Sequence, residues 1–417
     1  MNVPNGLRTP FSGEFWMAVF ILSGFIKGQF TFLPVDLTRL LLAVTVAIAG
    51  IRMIRKPEIS RDKLIPLLLY LILFGYICVS MIYSPSRVYG FDKTVSFLLL
   101  TGWAFAGPIL LVRDEQGLNR FLIGIIFVSS LMTYYGFQLF IEHLSAGEYI
   151  GQINAMGSDY LSFGRTNGTA ILALICGFLY DPRRHIPAKT AAVIVLLVTV
   201  VSLCISGARM PLVSLAGMIL LVIAISFRLK GGKMKVRKGT GYLMAGLVIF
   251  SIILVPLIAS GFLDTFIYRM SVLLTESGGG HSAEGRLDRF KVAFDMIQQA
   301  FWFGHGVGSF TIFYAGVDAT NYPHNIFLEL WSELGFAGVI WFCILASAAF
   351  GMVIKVAVGK LRDRLTLVSA MTFLYLFLNA NVSGDLNQNR AMFAYIGLCW
   401  VVSGIKESTN RSEEREA

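Results

Sequence analysis

Residues 241–261, GYLMAGLVIFSIILVPLIASG, run for 21 positions without a single charged side chain. An α-helix of about that length crosses the roughly 30 Å hydrocarbon core of a bilayer, so the stretch reads as a membrane span. Apolar runs of the same kind recur before it at about 15–33, 35–54, 64–83, 93–112, 121–141, 166–180, 188–207 and 210–227, and after it at about 326–354, 365–382 and 391–405. Across 417 residues the chain is 56% hydrophobic and only 14% charged, with a mean hydropathy of +0.70, more apolar surface than a water-soluble core can hide. The expected fold is all-α: a polytopic integral membrane helical bundle of about 12 transmembrane helices, forming one transmembrane domain over 1–417.

The distribution of Lys and Arg gives the orientation. With the N-terminus placed in the cytoplasm, segments 1–14, 52–63, 113–120, 181–189, 228–238, 355–364 and 406–417 fall on the cytoplasmic side, and they hold 24 of the 35 Lys and Arg residues. The formal net charge of +10 is therefore a topology signal, and FRLKGGKMKVRK (227–238) needs no nucleic acid to explain it. Both termini are expected in the cytoplasm. The first run has no small-residue cleavage site after it, so no removable signal peptide is expected. The five cysteines sit singly in separate apolar runs, without the spacing of a disulfide framework or a metal cluster.

One polar interruption stands out, a large external loop over 262–325. Within it HSAEGRLDRFKVAFDMIQQAFWFG (281–304) opens with Ser282 as a candidate N-cap two residues before Glu284, and Leu287, Phe290, Phe294 and Ile297 recur at helical spacing. This predicts an amphipathic helix, lying on the membrane surface or closing over a cavity, ended by the glycine turn GHGVGSF (304–310). A second external loop, about 142–165, contains GQINAMGSDYLSFGRTNG and reads either as a turn-built lid or as a plain connector.

No Asp-x-Asp pair, P-loop or His-Glu-x-x-His occurs, so phosphate chemistry here would fall to arginine. Arg209, in CISGARMP, lies at the outer end of a span, with Pro211 at a helix start where a missing N–H is harmless. An arginine at that depth either faces a wet cavity or an anion, or snorkels to the surface. Arg286 and Arg289, about one turn apart, offer forks of donors that match phosphate oxygens, or else pair with Glu284, Asp288 or Asp295. His324, between Pro323 and Asn325 at the mouth of the span at 326, is an imidazole able to accept a proton at external pH, or a helix-start hydrogen-bonding group. Glu329 and Glu333 follow on the same helix and either orient the histidine or brace the bundle. His281 and His305 lie in glycine-flanked segments without zinc-ligand spacing relative to His324.

Taken together, SGAR at the outer end of a span, GRLDRFKVAFDMIQQAFWFGHGVGSF in the large loop, and PHNIFLELWSELGFAG after it resemble the O-antigen ligase and polymerase superfamily of bacterial envelope proteins. The resemblance implies a metal-independent membrane glycosyltransferase of polysaccharide or lipopolysaccharide biosynthesis. It implies a bacterial inner-membrane protein, active on the periplasmic face, that moves a glycan from undecaprenyl diphosphate to a glycan or lipid A core acceptor without metal, nucleotide or other cofactor. Ligases, polymerases and a protein-glycosylating branch share that donor. The family's arginines fall on Arg209 and Arg286 and its histidine on His324, the expected catalytic residues; Arg289, Asn325 and Glu329 are the expected substrate-binding residues. One departure is visible: the aromatic four residues after the loop arginine, commonly Trp in the family, is Phe290. The ligase reading leads, because a histidine beside arginines suits one committed transfer; a polymerase, or a flippase for the same lipid-linked sugar, is the alternative.

Overall fold

A computed structural model of the chain describes residues 12–55, 60–147, 151–181, 183–230, 233–236, 238–264, 267–268, 270–271, 281–359 and 363–416. In chain order the elements are α1 (Gly13–Ile26), α2 (Leu37–Arg55), α3 (Arg61–Ser80), α4 (Tyr89–Leu111, wound as a π-helix over Phe97–Thr101), α5 (Glu115–Ser145), and α6 (Tyr160–Leu172, continued by a π-wound stretch Ala173–Leu179). Then come α7 (Ile186–Ile205), α8 (Arg209–Ser226), strands β1 (Phe227–Lys230) and β2 (Lys233–Val236), α9 (Lys238–Ala259), α10 (His281–Gln299), α11 (Ser309–Ala315), α12 (Ile326–Leu345), α13 (Ser347–Ala357), α14 (Arg364–Ala380) and α15 (Arg390–Glu416).

The chain is a polytopic, helical membrane protein. Among the described residues eight helices, α2 to α5, α7 to α9 and α12, are each long and apolar enough to cross a bilayer, fewer than the twelve expected. The other four runs are helical but shorter or interrupted: α1 has 14 residues, α6 13 before its π-wound stretch, α14 17, and α15 is apolar only over Arg390–Ser403. The run at 326–354 breaks at Ala346 into α12 and α13. The basic turn after α8 folds as a short antiparallel hairpin, Phe227 opposite Val236 and Lys230 opposite Lys233, a small addition to the helical bundle. The second loop is shorter than 142–165, because Asp159 accepts from Ser162 N at 2.8 Å and starts α6 at Tyr160.

Packing divides the chain into two compact units, 1–45 with 114–275 and 353–375, and 46–113 with 276–352 and 376–417. In the first, α1 packs along α5, and Glu14 receives both Nε and Nη2 of Arg120, at 3.2 and 3.1 Å. Arg364 is buried, and its guanidinium reaches Glu115 at 2.8 Å, Asp181 at 3.3 Å, Asn119 at 2.7 Å and the Gly177 carbonyl at 2.8 Å. An arginine withdrawn from water in such a protein is tolerable only with partners of this kind. α6 carries buried polar groups satisfied across helices: Asn167 accepts from Ser129 Oγ at 2.9 Å and donates to Ser202 Oγ at 3.0 Å. The start of α8 lies so close to α6 that a Cβ on Gly164 would come within 2.5 Å of the Ala208 Cβ.

In the second unit, α12 packs on α3 and α10, and α15 packs on α4. α12 is broken at Gly335 (φ +68°, ψ −174°), which the helical spacing of its side chains does not announce. The segment after α10 fills the break. The carbonyls of Ser332 and Glu333 accept from the backbone N–H of His305 (3.1 Å) and Gly306 (2.7 Å), and that of Leu334 from the Tyr76 hydroxyl (2.6 Å). Phe336 N and Ala337 N donate to the carbonyls of Phe301 (2.8 Å) and Trp302 (3.2 Å). These five groups at the kink find partners outside the helix, as a helix in a water-poor setting requires. A Cβ on Gly335 would stand 2.3 Å from the Trp302 and Phe303 backbone, so only glycine fits.

Candidate active site

The second unit gathers the loop residues singled out by sequence. Within the expected loop 262–325, residues 265–266, 269 and 272–280 lie outside the described residues, as do the side chains of 281–284. Ser282 belongs to the helix rather than preceding it, and its capping role and the side chain of His281 fall outside the described residues. α10 is amphipathic as expected, but its inward stripe is rotated. Ala293, Met296 and Ile297 are buried with Phe310 and Leu328, flanked by Phe290, whereas Leu287 and Phe294 are 58% and 53% exposed. The seam that α10 buries against α11 and α12 takes small and flexible side chains, Ala293 and Met296, that a count of large apolar residues overlooks.

After α10 the chain turns through Gly304, Gly306 and Gly308, all at positive φ, as GHGVGSF predicts. His305 is a fastener here: its Nε2 lies 3.0 Å from the Met296 carbonyl. The loop then passes Asp318, whose carboxylate accepts from Ser86 Oγ (2.6 Å) and from the N–H groups of Arg87 (2.8 Å), Val88 (2.8 Å) and Tyr89 (3.1 Å), at the N-terminal end of α4. Partial burial pushes this carboxyl up, but the bonds from Ser86, Val88, Tyr89 and Arg87 outweigh it and hold it below the usual carboxylate range. The strand of loop that carries His324 is thereby tied down at one end.

At the other end Asn325 caps α12, its Oδ1 accepting from Phe327 N and Leu328 N at 3.0 Å each and its Nδ2 donating to the Asn381 carbonyl at 3.1 Å. Between the two anchors His324 adopts φ +60°, a left-handed conformation that a side chain bearing a Cβ seldom takes. The ring is half-buried, edge-on to Tyr322 at 4.6 Å, and its buried Nδ1 makes no hydrogen bond among the described residues. Tyr322 is itself held by a 3.1 Å bond from its hydroxyl to Gln388. Burial first, then the charges of Arg289 and Arg286, hold the imidazole down to about 4, so it is neutral at physiological pH.

Arg289 is fixed on three sides. Nη1 donates to the Gly285 carbonyl at 2.9 Å, Nε to Asn321 Oδ1 at 3.4 Å, and the guanidinium carbon lies 4.9 Å from the centre of the Tyr314 ring. Arg286, one turn earlier, is half-buried. Of the carboxylates on α10, Asp288 pairs with Lys291 at 3.3 Å, and the side chain of Glu284 lies outside the described residues.

Glu329 and Glu333 resolve in favour of bracing. Lys93, with 1% of its side chain exposed, sits between Glu329 Oε1 at 2.6 Å and Glu333 Oε2 at 2.7 Å. Glu329 Oε1 also accepts from Leu386 N (3.1 Å) and Glu333 Oε2 from Gly308 N (2.9 Å). Glu329, expected to bind substrate, is thus a buried strut between α4, α12 and the turn before α15. Arg209 belongs to the first unit, as the half-buried opening residue of α8, with Gly207 at φ +73° ahead of it and Pro211 in the first turn.

Residues 191–343 match the family model described as O-antigen ligase. That segment carries the pattern of the O-antigen ligase and polymerase superfamily. No curated protein matches it. The O-antigen ligase segment runs from α7 to α12 and contains Arg209, Arg286, Arg289, His324, Asn325, Glu329 and Glu333; Lys93, which meets that segment from outside it, does not belong to it. An O-antigen ligase or polymerase is an enzyme of polysaccharide biosynthesis, and its family implies lipid-linked glycan substrates.

Lys93, Tyr314, Asn321 and Asp318 join the site only in the folded chain. Lys93 carried a signal, one ammonium at the start of an apolar run. Tyr314, Asn321 and Asp318 carried none, since their roles depend on partners far along the chain.

Proposed function

We propose that the protein transfers a glycan from undecaprenyl diphosphate to an acceptor hydroxyl at the periplasmic face of the bacterial inner membrane, in the ligase sense, with the lipid A core as acceptor. The observation that carries this reading is His324, held neutral in a strained loop conformation beside two arginines. The acceptor oxygen attacks the anomeric carbon and yields its proton to the imidazole. The bond from that carbon to the diphosphate oxygen breaks, and undecaprenyl diphosphate leaves with the electron pair. Arg286 and Arg289 take the charge that gathers on the phosphate oxygens, the kind of stabilisation that is usually the largest catalytic contribution. Asn325 keeps the imidazole in place through its cap. Arg209 enters the proposal through its place in the family pattern, as a further guanidinium for the donor.

Proteoliposomes supplied with undecaprenyl-diphosphate-linked glycan and lipid A core test it. Arg209→Ala, Arg286→Ala and His324→Asn are each expected to insert normally and to lose transfer, the arginine variants by about 2.7 to 4 kcal/mol of barrier, a hundredfold or more. Near-normal transfer by His324→Asn removes the general base. Lengthening of the lipid-linked glycan itself, with the core untouched, assigns a polymerase, and movement of donor across the bilayer without a new glycosidic bond assigns a flippase.

A further inference from the structure

The ring of Tyr314, on α11, lies over the guanidinium of Arg289 at 4.9 Å. The same ring stacks on Phe310, centroids 5.6 Å apart and planes within 10°, and Phe310 is fully buried in the core shared by α10, α11 and α12. The arginine is therefore referenced to the hydrophobic core through two aromatic rings. Its Nη1 and Nε are engaged on Gly285 and Asn321, and the Asn321 oxygen is held in turn by the N–H of Tyr322 at 2.9 Å. Nη2 alone makes no hydrogen bond among the described residues. We propose that Tyr314 is a positioning residue for Arg289, its ring fixing the guanidinium so that Nη2 is left to receive an oxygen of the lipid-linked diphosphate. The inference rests on the glycan-transfer reading and names how that site is pre-organised: the face of the ring attracts the cation, and a planar fork already oriented loses little freedom when an anion arrives.

The full-length protein in lipid nanodiscs gives the test. Tyr314→Leu is expected to lower kcat/KM for the donor by between about twofold and about thirtyfold, the span covered by a cation–π contact between exposed and desolvated settings. The charged groups facing His324 are Arg289 and Arg286. A guanidinium released from Tyr314 depresses the imidazole less, so the acid limb of kcat/KM moves up from about 4 toward 6.5. Tyr314→Phe keeps the ring and keeps both values. Asn321→Ala, which removes one acceptor and leaves the core whole, moves the limb the same way by a smaller amount and serves if Tyr314→Leu does not fold. Val292→Ala loosens the same core without touching Arg289; it is expected to lower thermal stability and leave the limb in place. Wild-type kcat/KM and limb in a folded Tyr314→Leu, or an equal limb shift in Val292→Ala, overturn the proposal. Titration of the His324 ring by NMR, with inorganic pyrophosphate as the only anion probe, separates it from the broader reading. A raised His324 titration and weakened pyrophosphate binding in Tyr314→Leu uphold the positioning role even if wild-type protein transfers no glycan, and an unmoved titration removes that role even if it does.

Discussion

His324 shows what one side chain gains from its surroundings. A neutral imidazole at pH 7 is available to accept a proton, but one held down to about 4 is a weak base in the free site. Binding of a diphosphate anion to Arg286 and Arg289 cancels the field that depresses it, so the ring becomes more basic when the donor arrives. The competent form is the neutral one, and activity is lost as pH falls through the pKa. The acid limb of kcat/KM, which reports the free enzyme, is therefore expected near 4, and that of kcat at higher pH; pH–rate profiles measured below and above donor saturation check this, and coincident limbs would refute it. His324→Asn is the informative variant because asparagine tolerates a φ of +60°. The histidine and its asparagine were legible from PHN at a helix start. The left-handed backbone was not, since it follows from two anchors, Asp318 and Asn325, pulling the loop from both ends.

At the scale of elements, the kink in α12 and the turn that fills it are one device. Gly335→Ala would force apart two backbones that exchange hydrogen bonds on both sides of the break, and a loss of more than about 4 kcal/mol is expected, read as failure to accumulate or a collapse in thermal stability in detergent. Gly50→Ala in α2, where an added Cβ meets nothing within 4 Å, is the control and should gain up to about 1 kcal/mol from helix propensity. Lys93 supplies a second check. Lys93→Met leaves Glu329 and Glu333 buried without their cation and should destabilise by about 3 to 5 kcal/mol, whereas the triple variant with Glu329→Gln and Glu333→Gln should recover much of that loss. Unfolding midpoints in detergent decide it; no recovery in the triple variant would mean that the charges serve something other than one another. The strut was half legible: two glutamates four residues apart on an apolar helix demand a partner, but Lys93 lies 236 positions before Glu329 and nothing local points to it.

For the whole molecule, the distribution of Lys and Arg predicts that the β1–β2 hairpin and the loop bearing Asp318 label from opposite faces of the membrane. Single cysteines at Val236 and Ala319, in a background without the five native ones, should react with an impermeant maleimide from the cytoplasmic and periplasmic sides respectively; labelling of both from one side would overturn the proposed orientation. The sequence by itself determined that this is a polytopic helical membrane protein, because hydrocarbon thickness sets the length of an apolar run and side-chain transfer energies are local quantities. It also narrowed the candidates for binding a diphosphate to a few arginines, since few side chains match those oxygens. Only the tertiary structure decided that α12 is broken, that Glu329 is a strut, and that Tyr314 and Asn321 hold Arg289. Each of those depends on backbone and side-chain partners brought together from distant parts of the chain, and no periodicity within a segment encodes its partner.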